Sequence, residues 1–341
     1  RKTPAHKRHA QYVQMDPSHL NPDPDQIALE VFPYLRVFKD GTVERIAGTQ
    51  VVPAGVDPQT GVESKDIVIE PETSVSARLY RPNLPGKNHK KVPLVVYFHG
   101  GAFCISSVAD PLYHHSLNML VADANAIAIS VEYSRVPEHP LPEAYEDCWA
   151  ALRWVAAQAV GDHHEQEPWL KDYVDFGRVF LVGDSAGANI SHHLALRAMN
   201  SKLPGNLKIL GIGLIHPYFW GESPIGLEVT ESVRKAMVDN WWRYVCPSED
   251  KSCDDPLINP FTDESPSLAG LACDKILVIV AEKDILRDRG KLYYENLVKS
   301  GWRGSKDIME TQGEDHVFHI FDPNSEKAKN LIKRLASFIN E

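Results

Sequence analysis

The sequence predicts an α/β protein built on one mostly parallel sheet of about eight strands, with helices on both faces. Three observations carry that expectation. From Asp66 onward, apolar β-prone runs alternate with longer segments at helical spacing. The central runs VVYF, AIAISV, VFLV and ILVIV are almost unbroken in apolar residues, the pattern of strands covered on both faces. The stretch RVFLVGDSAGANISHH passes from such a run through a small-residue turn directly into a helical pattern, as a strand feeding a crossover helix does.

In chain order the strand runs are DIVIE, SVSARLY, VPLVVYFHG, AIAISVEY, RVFLVGD, LKILGIGLIHP, KILVIVAEKD and DIMETQG. Only a short polar turn separates the first two, so they pair antiparallel. Helical patterns fall between the later runs: LYHHSLNMLVADA, PEAYEDCWAALRWVAAQ, GANISHHLALRAM and RGKLYYENLVKS. The closing EKAKNLIKRLASFI carries an apolar stripe of Ala328, Leu331, Ile332, Leu335 and Ile339.

Two regions do not fit the alternation, residues 15–65 and an insertion at about 219–262. The insertion carries an amphipathic helix with Val233, Met237 and Trp241. Neither has a core of its own, so both are expected to fold over the sheet's top edge as a cap on a catalytic domain of residues 66–341. Residues 1–14, RKTPAHKRHAQYVQ, are basic and free of acids; they read as a leader remnant, a native arm or an appended sequence and stand outside the fold argument.

The 341 residues include 36 Lys and Arg against 46 Asp and Glu, a net charge of −10, so no broad basic surface is available and a nucleic-acid partner is not expected. No run approaches the ~18–20 apolar residues of a membrane span. Five cysteines are scattered without C-x-x-C spacing, which suits free buried thiols in a reducing, cytoplasmic setting. Histidine pairs at 114–115, 163–164 and 192–193 point their members in different directions, so no metal and no cofactor is expected.

In open α/β sheets ligands sit at the carboxyl ends of the strands. Ser185 stands there, in the turn Gly183-Asp184-Ser185-Ala186-Gly187. A serine flanked by small residues between strand and helix is exposed on a sharp turn and is a candidate nucleophile. Its hydroxyl needs a base oriented by a carboxylate, in the order Ser, Asp, His. Asp284 ends KILVIVAEKD, and His316 follows the last strand run in TQGEDHVFH. Asp288 is expected to cap a helix or pair with an arginine, and His319 to pack.

The developing oxyanion requires backbone donors. LVVYF runs into His99-Gly100-Gly101-Ala102-Phe103, so Gly100 and Gly101, with Ala186 at the turn, are the expected donors. His99 is expected to brace the loop. Phe103, Ile105, Tyr218, Trp220 and Trp241 are expected to line an apolar small-molecule mouth. The sequon at Asn189 is expected to be buried on the helix after Ser185.

HGGAF, PEHPLPEAYED, GDSAG, AEKDILRDRG and GEDHVFH together resemble the plant carboxylesterases of the hormone-sensitive-lipase group of α/β hydrolases, a resemblance extending from about Pro33 onward. HGGAFC, AYEDCW, KILG, PLINP, KSGW and KRLASFI extend it to the 2-hydroxyisoflavanone dehydratases of legumes. The resemblance implies the α/β-hydrolase fold and a serine carboxylesterase, monomeric or homodimeric, acting on short-acyl or aromatic esters of small plant metabolites. That group's dehydratases carry threonine where this chain has Ser185, so esterase chemistry is expected and dehydration is the alternative. The related gibberellin receptors lack the histidine that His316 supplies, which sets a binding-only role third. One departure is VEYSRVPEHP: the group's arginine follows its tyrosine directly, whereas here Ser134 intervenes before Arg135. Pro137, Glu138 and Asp147 match and are expected to hold the loop beneath the site.

Overall fold

Three short strands open the described part of the chain: β1 (Ile27–Val31), β2 (Leu35–Phe38) and β3 (Val43–Arg45), an antiparallel sheet of their own. The structure is a computed structural model that describes residues 23–84, 90–161 and 166–341; residues 1–14, the start of the expected cap segment and the histidines at 163–164 lie outside those residues. This small sheet was not foreseen, because strands of three to five residues give too little alternation to stand out.

All eight expected runs form the main sheet. They are β4 (Glu63–Glu70), β5 (Val75–Arg81), β6 (Val92–Phe98), β7 (Ile127–Glu132), β8 (Val174–Asp184), β9 (Gly211–Ile215), β10 (Lys275–Ala281) and β11 (Ser305–Thr311), in spatial order β11-β10-β9-β8-β6-β7-β5-β4. β4 and β5 pair antiparallel as expected, β5 is also antiparallel to β7, and every other pairing is parallel.

Nine α-helical segments complete the described chain: α1 (Pro111–Ala124), α2 (Glu143–Val160), α3 (Pro168–Tyr173), α4 (Ala186–Asn200), α5 (Leu227–Thr230), α6 (Ser232–Val245), α7 (Arg287–Lys299), α8 (Phe318–Phe321) and α9 (Glu326–Asn340). The alternation of side chains along the strands divides the core in two. Leu94, Val96 and Phe98 of β6 share one cluster with Leu152 and Val155 of α2, Ile190 of α4 and Leu297 of α7. Val95 and Tyr97 face the opposite way, into a cluster with Leu117 and Leu120 of α1 and Leu331 and Leu335 of α9. The stripe read from EKAKNLIKRLASFI is buried in full, and each of its larger members contributes roughly 1.5–3 kcal/mol.

The insertion's helix is α6, but its buried face is Val238, Trp242 and Val245. Val233 is 74% exposed, and Trp241 faces the N-terminal segment, its indole N–H donating to the Phe32 carbonyl at 2.7 Å and its ring 5.0 Å from Tyr34. The expected stripe is therefore one residue out of phase with the buried one. Both recur at helical spacing, and only the position of the flanking segments decides which turns inward.

Candidate active site

β8 ends at Asp184; Ser185 follows, held at φ 52° and ψ −116°, and α4 begins with the next residue. That left-handed backbone costs on the order of 1–3 kcal/mol in a non-glycine residue. It persists because its surroundings fix it: the Ser185 N–H donates to the Ile215 carbonyl at 2.9 Å, and the Ser185 carbonyl accepts from Tyr218 N–H at 3.1 Å. Glycine at 187 is required by space, since a Cβ there would lie 1.8 Å from the Phe98 carbonyl oxygen.

Asp284 and His316 converge on this turn. His316 Nε2 lies 2.9 Å from Ser185 Oγ, and His316 Nδ1 lies 2.8 Å from Asp284 Oδ2. Asp284 is fully buried, and its second oxygen accepts the Leu286 N–H at 2.9 Å. Burial acts to lower the His316 pKa, but the charge and hydrogen bond of Asp284 outweigh it, with Asp184 and Asp315 adding in the same direction. The imidazole therefore sits above the ordinary histidine value. The arrangement can take a proton from a serine hydroxyl and hold the resulting imidazolium.

The expected donor set is corrected at one position. The Gly100 N–H points inward, to Tyr113 Oη at 3.0 Å and Asp184 Oδ1 at 3.1 Å, and is not available to a substrate. The loop then turns through left-handed Gly101 (φ 108°), Ala102 (φ 51°) and Phe103 (φ 64°). A Cβ on Gly101 would meet the Ile105 carbonyl oxygen at 2.5 Å, so the turn needs glycine there. The amides of Gly101, Ala102 and Ala186 make no hydrogen bond among the described residues. Of the expected loop donors, Gly100 is thus turned away, and Ala102 is the next residue whose amide is left free.

Asp184 was read only as a small turn residue, yet it organises this loop. It is fully buried and accepts from Tyr97 Oη at 2.8 Å, Tyr113 Oη at 2.7 Å and the Gly100 N–H. Burial pushes its pKa up, opposed by those donors. The available signal was a carboxylate at the end of an otherwise apolar strand. His99 braces the loop as expected, its ring stacked on Tyr133 at 4.4 Å and its Nδ1 2.7 Å from the Gly100 carbonyl. Burial brings its pKa to about 4 and keeps it neutral.

The remaining candidates separate cleanly. Asp288 pairs with Arg287 and accepts the Leu227 N–H at 2.8 Å. His319 is buried, with neither ring nitrogen hydrogen-bonded among the described residues. Asn189 is fully buried, bridging Tyr145 to the carbonyls of Tyr218 and Leu257. His192 and His193 diverge, to Tyr293 and to the Leu257 carbonyl.

Of the five expected mouth residues, only Trp241 is partly exposed. Phe103 packs between Tyr145 and Tyr218, and Ile105 is buried against the Gly101 turn. Tyr218 is 2% exposed with an unpartnered hydroxyl. Trp220 is fully buried, its indole N–H on Asp239 at 2.7 Å and its ring between Lys235 and Arg289. Phe103, Tyr218 and Trp220 are part of one core cluster that also takes in Trp242 of the inserted helix α6.

Sequence reading also missed Arg45. From β3 it reaches the Cys104 carbonyl at 2.7 Å, the Val136 carbonyl at 3.1 Å and both oxygens of Glu138. Glu138 thus holds its loop through an arginine of the N-terminal segment. The displaced Arg135 reaches the Ser106 carbonyl, and Asp147 accepts the Ser134 N–H at 2.8 Å. On the opposite side, Arg234 of α6 donates to the Lys283 carbonyl and to Asp315, the neighbours of Asp284 and His316.

Among the described residues, His216, Asp284 and His316 bring potential ligand atoms within 4.8 Å of one another. Asp284 and His316 are hydrogen-bonded to each other and His316 to Ser185, and His216 Nδ1 accepts the Val317 N–H, while His216 Nε2 has no partner among the described residues. No helix of the described residues is long and apolar enough to cross a membrane.

Residues 95–320 match a family model described as the alpha/beta hydrolase fold. The chain is 59% identical to probable carboxylesterase 2 of Arabidopsis thaliana, over 93% of this chain and 97% of that one. It is 46% identical to 2-hydroxyisoflavanone dehydratase of Glycine max, over 92% and 99%. Among solved structures, an esterase of Pyrobaculum calidifontis superposes with a TM-score of 0.66 at 29% identity, covering 81% of this chain and 84% of that one.

Proposed function

The chain belongs to the plant carboxylesterases of the α/β-hydrolase family and is an ester hydrolase, and we propose that Ser185, His316 and Asp284 carry its reaction. His316 takes the Ser185 proton as Oγ attacks the ester carbonyl, while Asp284 fixes the imidazole tautomer and stabilises the imidazolium. The amides of Gly101, Ala102 and Ala186 receive the oxyanion; such donors are worth about 3 kcal/mol each in related chemistry. Protonated His316 then releases the alcohol, and water cleaves the acyl-enzyme by the same route. The reaction needs no cofactor.

The observation that carries this reading is the continuous chain of contacts from Ser185 Oγ to His316 at 2.9 Å and on to Asp284 at 2.8 Å, at a strained strand-to-helix turn. The first described cap residues and the insertion at 219–262 together close the top edge, and the substrate is a short-acyl or aromatic ester of a small plant metabolite. The protein works in the cytoplasm as a monomer or homodimer. Labelling with a fluorophosphonate, followed by peptide mass spectrometry, tests the mechanism: modification at Ser185 is expected, together with loss of p-nitrophenyl acetate turnover in Ser185→Ala. Label elsewhere, or turnover retained in that variant, overturns it.

The likeness to the Glycine max protein favours a second reading, elimination of water from a 2-hydroxyisoflavanone. Serine at 185, where the resemblance places threonine in dehydratases, argues for the ester. Turnover of a 2-hydroxyisoflavanone well above that of p-nitrophenyl acetate would reverse the order.

A further inference from the structure

His216 follows β9 and is 1% exposed. It touches none of the three proposed catalytic side chains by hydrogen bond. Its Nδ1 accepts the backbone N–H of Val317 at 2.8 Å, across 101 residues of sequence. Val317 directly follows His316 and is itself left-handed at φ 45°, as is His216. Because Val317 donates, Nδ1 must be the bare nitrogen and the proton sits on Nε2. Burial pushes the His216 pKa well below the ordinary value, so the ring stays neutral and the acceptor persists.

Nε2 has no partner among the described residues, although it is buried. A buried N–H without an acceptor is unfavourable, and a phenylalanine would fill the same space without it. The imidazole is therefore present for what Nδ1 does. The Val317 N–H belongs to the peptide unit from which the His316 Cα hangs. Fixing that plane fixes the direction of the His316 side chain, whereas the Asp284 contact fixes only the rotation of its ring. The His216 ring also packs under the loop, 5.9 Å from His316, 5.8 Å from Phe318 and 5.7 Å from His319.

We propose that His216 is a positioning residue for the general base: through Nδ1 it clamps the His316–Val317 peptide and so sets His316 Nε2 against Ser185 Oγ. The proposal rests on His316 acting as the base. Asparagine places an oxygen where histidine has Nδ1 and tolerates left-handed backbone. Glutamine places its oxygen nearer the Nε2 position, and phenylalanine keeps the ring with no acceptor.

On p-nitrophenyl acetate, His216→Phe and His216→Gln are expected to lower kcat about tenfold to a hundredfold, the scale of a small misplacement of a reacting group. KM should change by less than about threefold, and His216→Asn should keep kcat within about threefold of the parent. Full kcat in the phenylalanine variant, or equal losses in the asparagine and glutamine variants, overturns the clamp. If the phenylalanine variant does not fold, the asparagine–glutamine pair decides alone. His316→Ala, measured alongside, separates the two readings: turnover retained there removes the base itself, whatever the His216 variants do.

Discussion

Around Ser185 the restraint is backbone against backbone: the amide on Ile215, the carbonyl under Tyr218, and Gly187 pressed to the Phe98 carbonyl with no room for a methyl group. Around His316, 2.9 Å away, the restraint is made by side chains brought from elsewhere: Asp284 on the ring, His216 on the Val317 amide, Arg234 on Asp315. The serine corner is inseparable from the sheet, so damage to it is damage to the fold. The histidine corner lies on a loop after the last strand, tied back by a backbone bond from the Lys283 N–H to the Glu314 carbonyl at 2.8 Å, so damage to its side-chain contacts is expected to fall on activity while the fold stands.

Asp284→Asn probes that contrast most strongly. A neutral amide no longer fixes the tautomer, and kcat is expected to fall about 10⁴-fold with the melting temperature little changed. The base must be neutral to accept the serine proton, so activity in the parent is lost as pH falls through the His316 pKa, which lies above the ordinary value because of Asp284. Removing the carboxylate should move that acid limb to lower pH in a kcat/KM profile; an unmoved limb would mean another group titrates.

Gly187→Ala probes the other corner. A Cβ 1.8 Å from a carbonyl oxygen in a strand end has nowhere to go, and the loss of stability should exceed about 4 kcal/mol, read as failure to accumulate folded protein. A folded but inactive Gly187→Ala variant would erase the distinction. Arg234→Ala gives the smallest effect on turnover. Its ion pair with Asp315 is about one-third exposed on the arginine side, where such pairs are worth about 0.2–1 kcal/mol. Turnover should drop less than about fivefold, and the parent at about 1 M salt, where screening acts within ~3 Å, should approach the variant. Identical salt responses in the two proteins would remove Arg234 from the loop's support.

The same contrast explains what the sequence disclosed. Ser185 and Asp284 each close an apolar strand run, and His316 follows the last one, so their local signals and chain order suffice. The eight main strands were legible for the same reason. HGGAF reveals where backbone can approach a ligand but not which amide turns towards it, and the inward turn of Gly100 depends on Asp184 and Tyr113, 84 and 13 residues away. Val233, Met237 and Trp241 form a valid helical stripe, yet the core takes the stripe beside it. Arg45 with Glu138, and His216 with Val317, join positions 93 and 101 residues apart, and nothing in either neighbourhood announces the partner.

The positive φ of Ser185 has a consequence for longevity. Glycine adopts that backbone without the strain, so a Ser185→Gly protein, expected to be inactive, should melt about one to two degrees higher than its parent, a gain of about 1 kcal/mol. On the proposed mechanism the working protein is then the less durable form of its own scaffold: it carries its nucleophile as a small standing instability, and any search for a hardier version that ignores turnover will drift towards replacing Ser185.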